Sequence, residues 1–197
     1  MSIGILGAGN IGKAFAKTLA RNGIEATIAN SRGPESLAAF VRELPGIRAG
    51  TREEAAKQAI VLVAVPWAQL PQALAGLDLK GKVVIDANNA LDGTTFQPID
   101  LDGRTSTAAF AELVPGARVV KAFNHLFAAI LERDPKADGG QRVLFLSGDD
   151  AEAKTQVSKL IERLQFFPID LGTLQQAAHL TQFPGGPLPA HNLVRLG

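Results

Sequence analysis

At 197 residues the chain has room for one well-buried α/β domain with a small appendage, and not for two large independent domains. It is 46% apolar and 20% charged with a formal net charge of +1, a balance that argues against bulk nucleic acid or an acidic membrane as the main partner. With no cysteine there is no disulfide, thiolate metal site or thiol nucleophile, and with no tyrosine the Tyr-Lys chemistry of short-chain dehydrogenases is excluded.

The N-terminus enters Ile3-Gly4-Ile5-Leu6 directly, without a basic leader, and no apolar run approaches the roughly 18 residues of a membrane helix. The expectation is a soluble cytoplasmic protein. Ile3 to Leu6 reads as a strand, followed by a helix with Ile11, Phe15 and Leu19 on one face. Ala26 to Ala29 is a second strand, ended by Asn30-Ser31-Arg32-Gly33-Pro34. A helix from Glu35 to Leu44 is stopped by Pro45-Gly46. Ile60 to Val65 is almost wholly apolar, as a central strand covered on both faces should be, and Pro66 closes it. Lys82 to Asp86, Arg118 to Phe123 and Arg142 to Ser147 are further strands.

Asp149-Asp150 precede an amphipathic helix carrying Val157, Leu160, Ile161 and Leu164, where acidic residues suit the positive end of the helix dipole. A short strand at Phe166 to Asp170 and a helix near Leu174 to Leu180 follow, before an irregular Pro- and Gly-rich end. Short apolar runs alternating with helical segments predict βαβ units on a mostly parallel, doubly wound sheet. The expected division is a Rossmann-type dinucleotide-binding domain over 1–150, with a small C-terminal α/β extension over 151–197 packed on it.

Gly7-Ala8-Gly9-Asn10-Ile11-Gly12 matches GxGxxG. As a string it is weak; its place, after a strand and opening a helix, carries the argument. There the first glycine permits a tight turn, the second lets the backbone approach a pyrophosphate, and the third lets helix and strand pack closely. Free N–H groups at the helix N-terminus, from Asn10 and Ile11 onward, then meet the phosphate charge.

NAD-binding folds usually present Asp or Glu at the end of the second strand. Here Asn30-Ser31-Arg32 stands instead, with no carboxylate. An acid would repel a 2′-phosphate, whereas Arg32 offers a planar fork and Ser31 a neutral donor, so NADP(H) is favoured over NAD. Val65-Pro66-Trp67 ends the central strand where the crevice should lie. Trp67 is either a ring wall beside the cofactor or packing over the next helix. Asn88 and Asn89 are either ribose and nicotinamide contacts or turn residues.

Asn124 and His125 follow another strand end and are the candidate catalytic residues; Asn124 reads equally well as the cap of a helix from His125 to Leu131. His179 and His191 have no supporting constellation. No paired carboxylates, metal-ligand cluster or Ser-His-Asp arrangement stands out.

Gly7 to Gly12, Ser31-Arg32, Val65-Pro66-Trp67, Val120-Lys121-Ala122-Phe123-Asn124 and Ser147-Gly148-Asp149-Asp150 together resemble the coenzyme F-420-dependent NADP oxidoreductases. The stretch Lys121-Ala122-Phe123-Asn124 is also similar to the cytosolic reductase domain of the six-transmembrane metalloreductases. The resemblance implies a homodimer that stacks nicotinamide on coenzyme F-420, FMN or FAD for direct hydride transfer. The deazaflavin pattern has His where this chain has Asn124, with His125 one place on. Hydride exchange between stacked rings asks for orientation and water exclusion, so a shortage of acids and bases is compatible with it. The alternatives are an NADPH-dependent flavin or ferric reductase and a non-catalytic NADP(H)-binding sensor. In every case the partner is a small redox molecule rather than nucleic acid or membrane.

Overall fold

In a computed structural model, which describes residues 2–197, the first strand, β1 (Ile3–Leu6), is buried at every position. Strands on both edges and cover on both faces explain why the segment is apolar throughout. The chain continues through α1 (Asn10–Arg21), β2 (Ala26–Ala29), a 3-10 turn at Pro34–Leu37, α2 (Ala38–Arg42), β3 (Ile47–Ala49) and α3 (Arg52–Ala56). Then come β4 (Ile60–Val63), a 3-10 turn at Trp67–Gln69, α4 (Leu70–Leu74) and β5 (Val83–Asp86). The remainder is α5 (Ser106–Leu113), β6 (Arg118–Ala122), α6 (Ala128–Leu131), β7 (Lys136–Ala137), β8 (Gly140–Gly148), α7 (Ala151–Arg163), β9 (Phe167–Asp170), α8 (Leu174–Ala177) and β10 (Val194–Leu196).

The parallel strands lie in the order β3-β2-β1-β4-β5-β6, and β8 then joins β6 antiparallel. β9 pairs β8 in parallel, while β7 and β10 pair its first residues antiparallel. The architecture is thus a Rossmann-like α/β fold whose C-terminal extension adds strands to the same sheet. Alternation along each strand sends side chains to two cores. Ile3, Ile5, Leu62 and Ile85 join Phe15 and Leu160 on one face, whereas Leu6, Val61, Val63 and Val84 join Leu70 and Phe110 on the other. No helix among the described residues is long and apolar enough to cross a membrane.

Beside shifts of one to three residues at the ends of β8, β9 and α8, three elements differ from the sequence reading. The helix expected over Glu35 to Leu44 begins as a 3-10 turn at Pro34 and is α-helical only from Ala38 to Arg42. The central strand ends at Val63, two residues early, because Val65 turns to meet Asn88. The helix expected from His125 starts only at Ala128, with Phe127 at its N-cap and no side-chain cap. Asn124 therefore does not cap it.

Candidate functional site

The strand order reverses between β1 and β4, and in open α/β sheets ligands bind outside the carboxyl ends at such a reversal. The Gly7–Gly12 turn lies there, and its three glycines have separate physical tasks. Gly7 has φ +109°, and a Cβ on it would stand 2.1 Å from the Ala64 carbonyl oxygen. A Cβ on Gly12 would stand 1.9 Å from the Gly7 carbonyl oxygen, so this residue lets α1 pack on the turn. Around Gly9 a Cβ would meet nothing within 4 Å, which is the open approach a pyrophosphate needs. Gly9 is the N-cap of α1 with no side-chain cap, and the first turn of α1 holds no acidic residue. Its unpartnered N–H groups and the helix dipole face the opening with nothing to neutralise them.

At the tip of β2, Asn30 organises the loop. Its Oδ1 accepts the Arg32 N–H at 3.0 Å, and its Nδ2 donates to Ser36 Oγ at 2.8 Å. Ser36 Oγ in turn donates to the Gly33 carbonyl at 2.7 Å. Ser31 and Arg32 are left exposed on this turn, and no carboxylate pairs with Arg32 among the described residues.

A cavity of about 580 Å³ joins these parts. That volume is within the range of small-molecule and cofactor sites. It is lined by Leu6 to Gly9, Ala29 to Arg32, Arg52, Ala64 to Pro66, Gln69, Gln72, Ala73 and Ala75. Arg32 and Arg52 are the charged residues of that lining, and it contains no acid. A glycine cradle open at Gly9 beside the Arg32 guanidinium, which no carboxylate among the described residues neutralises, fits the phosphates of NADP(H).

Behind the cavity lies a buried polar network. Asp86 and Lys121 stand opposite each other in register on β5 and β6, with Lys121 Nζ 2.9 Å from Asp86 Oδ2. Lys121 is 5% exposed and Asp86 0%. Lys121 also donates to the Asn88 carbonyl. The other Asp86 oxygen accepts the Asn88 N–H at 3.0 Å and Asn88 Nδ2 at 2.9 Å. Asn88 Oδ1 finally accepts the Val65 N–H at 3.0 Å. The side chain of Asn88 is thus committed inward: it fixes the cavity wall at Val65 rather than projecting into the cavity.

The carboxyl end of β6 is bound to the C-terminal segment. Phe123 is buried with φ +64°, its ring edge-on to Phe15 at 5.0 Å. For a bulky residue this is a strained conformation, and it re-aims the chain that follows. Asn124 Nδ2 donates to the Thr181 carbonyl at 2.8 Å and to Asn89 Oδ1 at 3.2 Å. Asn89 Nδ2 donates to the Asn124 carbonyl at 2.9 Å, and the Ala190 N–H donates to the His125 carbonyl at 2.8 Å. Segment 181–190 is therefore strapped to the loops after β5 and β6. Beneath it, Asn124 Oδ1 and both ring nitrogens of His125 have no hydrogen-bond partner among the described residues.

His125 lies against Phe145, with ring centroids 4.9 Å apart. Burial pushes its pKa from the ordinary 6.5 down to about 4, and the nearby Val143 backbone offsets only part of that without hydrogen-bond geometry. The imidazole is neutral through physiological pH, so it gives no titration near neutrality. The unfolded chain takes up this proton first. Relative to its value above pH 6.5, stability therefore falls progressively as pH drops from 6.5 through 4, by about 3 kcal/mol in all. Urea denaturation at pH 7 and pH 5 should show this loss in the wild type and a smaller one in His125→Phe. An equal pH dependence in both proteins would assign it elsewhere.

Of the residues singled out in the sequence, the structure brings Gly7, Gly9, Ser31, Arg32, Val65 and Pro66 onto the cavity, with Asn10, Ile11 and Gly12 opening α1 beside it. Trp67 is outside the lining and packs on the core around Leu70 and Phe110. Asn88, Asn124 and His125 are buried beyond the cavity. Sequence reasoning missed Arg52, Gln69, Gln72 and Ala73, which come from α3, α4 and the 3-10 turn before α4, elements without an apolar run or a ligand-binding motif. It also missed the Asp86–Lys121 pair, whose signal was a charge inside each of two apolar strand runs.

Comparison with known proteins agrees with this geometry. The family model described as "NADP oxidoreductase coenzyme F420-dependent" matches residues 2–90. Metalloreductase STEAP3 of Rattus norvegicus is 31% identical over 98% of this chain and 38% of its own length, so the chain spans about two-fifths of that relative. The crystal structure of a hypothetical protein from Sinorhizobium meliloti is 45% identical with a TM-score of 0.94, covering 99% of this chain and 96% of that one. That of a putative F420-dependent NADP-reductase from Arthrobacter sp. FB24 is 32% identical with a TM-score of 0.76, covering 90% and 87%. With the glycine cradle, the acid-free cavity and these relatives in agreement, the chain belongs to the coenzyme F420-dependent family of NADP oxidoreductases.

Proposed function

We propose that the protein binds NADP(H) in the cavity at the strand-order reversal and exchanges hydride with a flat ring acceptor, a deazaflavin or a flavin, at the carboxyl ends of β5 and β6. The observation that carries this reading is the cavity itself: an open glycine cradle at Gly9 and, beside it, Arg32 with no carboxylate partner among the described residues and no acid in the lining. The second half of the reading rests on the strapped, polar end of β6, where Asn124 and His125 hold buried unpartnered atoms. Buried polar groups in that condition usually mark a place where a ligand or water belongs.

NADP(H), when bound, supplies or takes the hydride. The chain's own residues bind and orient. The Gly9 turn and the N-terminus of α1 hold the pyrophosphate, Ser31 and Arg32 hold the 2′-phosphate, and Val65, fixed by Asn88, forms the wall. His125 is neutral and buried, so it takes no part as an acid at neutral pH. Exchange between two rings needs none.

Stopped-flow oxidation of NADPH with coenzyme F420, FMN and FAD tests the reading. Multiple turnovers with at least one ring acceptor are expected, and none with any of them would leave a dinucleotide sensor instead. In the same assay Arg32→Ala should lose charge-assisted bonds of roughly 1.5–3 kcal/mol, weakening NADPH about 10- to 150-fold. NADH should change little. Equal losses for both cofactors would remove Arg32 from phosphate recognition.

A further inference from the structure

Arg52 is the one cavity-lining residue contributed by α3, and its Nε and Nη1 are engaged within the protein. Nη1 donates to the Gln72 carbonyl at 2.9 Å and to the Ala73 carbonyl at 3.4 Å, and Nε donates to Glu53 Oε1 at 2.8 Å. The carbonyls belong to α4, which with its two flanking residues supplies Gln69, Gln72, Ala73 and Ala75 to the cavity wall. α4 is a helix of five residues with Pro71 near its start, and it is anchored by Leu70 and Leu74 on its buried side. So short a helix has little stability of its own.

Its partner α3 is firmly placed. Thr51 and Glu54 form a reciprocal capping box at its start, and Gly4 of β1 lets the Ala55 carbonyl approach so closely that a Cβ there would be 2.0 Å away. Arg52 thus ties the short α4 wall to a fixed support, 20 residues earlier in the chain.

We propose that Arg52 is a positioning residue that holds the α4 wall at the width of the adenosine half of the dinucleotide, independently of the 2′-phosphate that Arg32 reads. The inference rests on the NADP(H) reading of this cavity. Because its Nη1 is held by the α4 carbonyls and its Nε by Glu53, Arg52 sets the shape of the slot for both dinucleotides. Arg32, with no carboxylate partner, supplies the discrimination between them.

Titrations of the full chain with NADPH and NADH separate the two roles. Arg52→Met keeps the length of the side chain and removes the donors; it should weaken both ligands by about tenfold, leaving their ratio within about twofold of wild type. Arg52→Lys, which retains a donor that reaches the carbonyls, should recover affinity to within about threefold. Arg32→Ala should change the ratio instead. Melting of the ligand-free variants checks that each is folded. Wild-type affinities in folded Arg52→Met would overturn this inference alone, reducing Arg52 to a C-terminal cap of α4. A loss confined to NADPH would overturn it too, making Arg52 a second reader of the phosphate. Wild-type protein that binds neither ligand would overturn the NADP(H) reading and this inference with it.

Discussion

Gly9→Val is expected to abolish dinucleotide binding while leaving the protein folded. Of the three motif glycines it is the one that separates the two properties. Gly7 sits at positive φ against Ala64, and Gly12 is pressed against Gly7, so a side chain at either disrupts the turn itself. Gly9 has φ −76° and open space around its missing Cβ. A valine there changes an N-cap residue, at a cost of about 1 kcal/mol or less in stability. The same isopropyl group fills the approach to the first N–H groups of α1. NADPH affinity should fall by at least about 100-fold, or roughly 2.7 kcal/mol. Circular dichroism and a binding titration on one sample decide it, and retained binding would remove the glycine loop from the site.

Lys121→Met should produce the largest loss of stability. It leaves Asp86 fully buried, with its charge unpaired and only the two Asn88 donors remaining. Breaking a buried pair in this way costs about 3–5 kcal/mol. In a domain of this size each kcal/mol moves the melting temperature by roughly 2–4 °C, so a fall of roughly 6–20 °C is expected. Removing both charges, in Asp86→Leu/Lys121→Met, should recover part of the loss, because the uncompensated charge goes with them. The network ends on Val65, so NADPH affinity of the folded Lys121→Met protein should fall as well. A melting temperature within about 2 °C of wild type would mean the pair contributes little to the fold.

The contrast between these two sites mirrors what could be read from the sequence. The glycine turn was legible because its chemistry is local: strand, turn and helix N-terminus fall within ten consecutive residues. The long helices α1 and α7 were legible by their apolar spacing, and Asp150 caps α7 as its acidic start suggested, accepting the Ala153 N–H at 2.7 Å.

What was not legible depends on partners distant in the chain. β3 and β10 are three residues each and exist because β2 and β8 offer them hydrogen bonds. α3 did carry a local signal, the capping box Thr51-Arg52-Glu53-Glu54, but without an apolar run behind it to mark a helix. Asn124 had the sequence context of a helix cap, and its actual partners, Thr181 and Asn89, lie 57 and 35 residues away. The inward turn of Asn88 was hidden for the same reason, since its acceptor role is toward Val65, 23 residues earlier.

That single bond has a consequence for recombination. Every cavity residue falls between Leu6 and Ala75, whereas the strapped end is assembled from stretches after Asp86. The turn near Gly76 to Gly81 therefore divides the chain into a block that carries the cavity and a block that carries the strapped end, which could be exchanged between relatives. The seam between them is the parallel pairing of β4 with β5, extended at its carboxyl end where Asn88 of the second block grips Val65 of the first. A chimera of two relatives joined at this turn should inherit its nucleotide preference from the parent of the first block, provided the graft carries an asparagine at position 88 to meet the Val65 N–H and a β5 that pairs with β4.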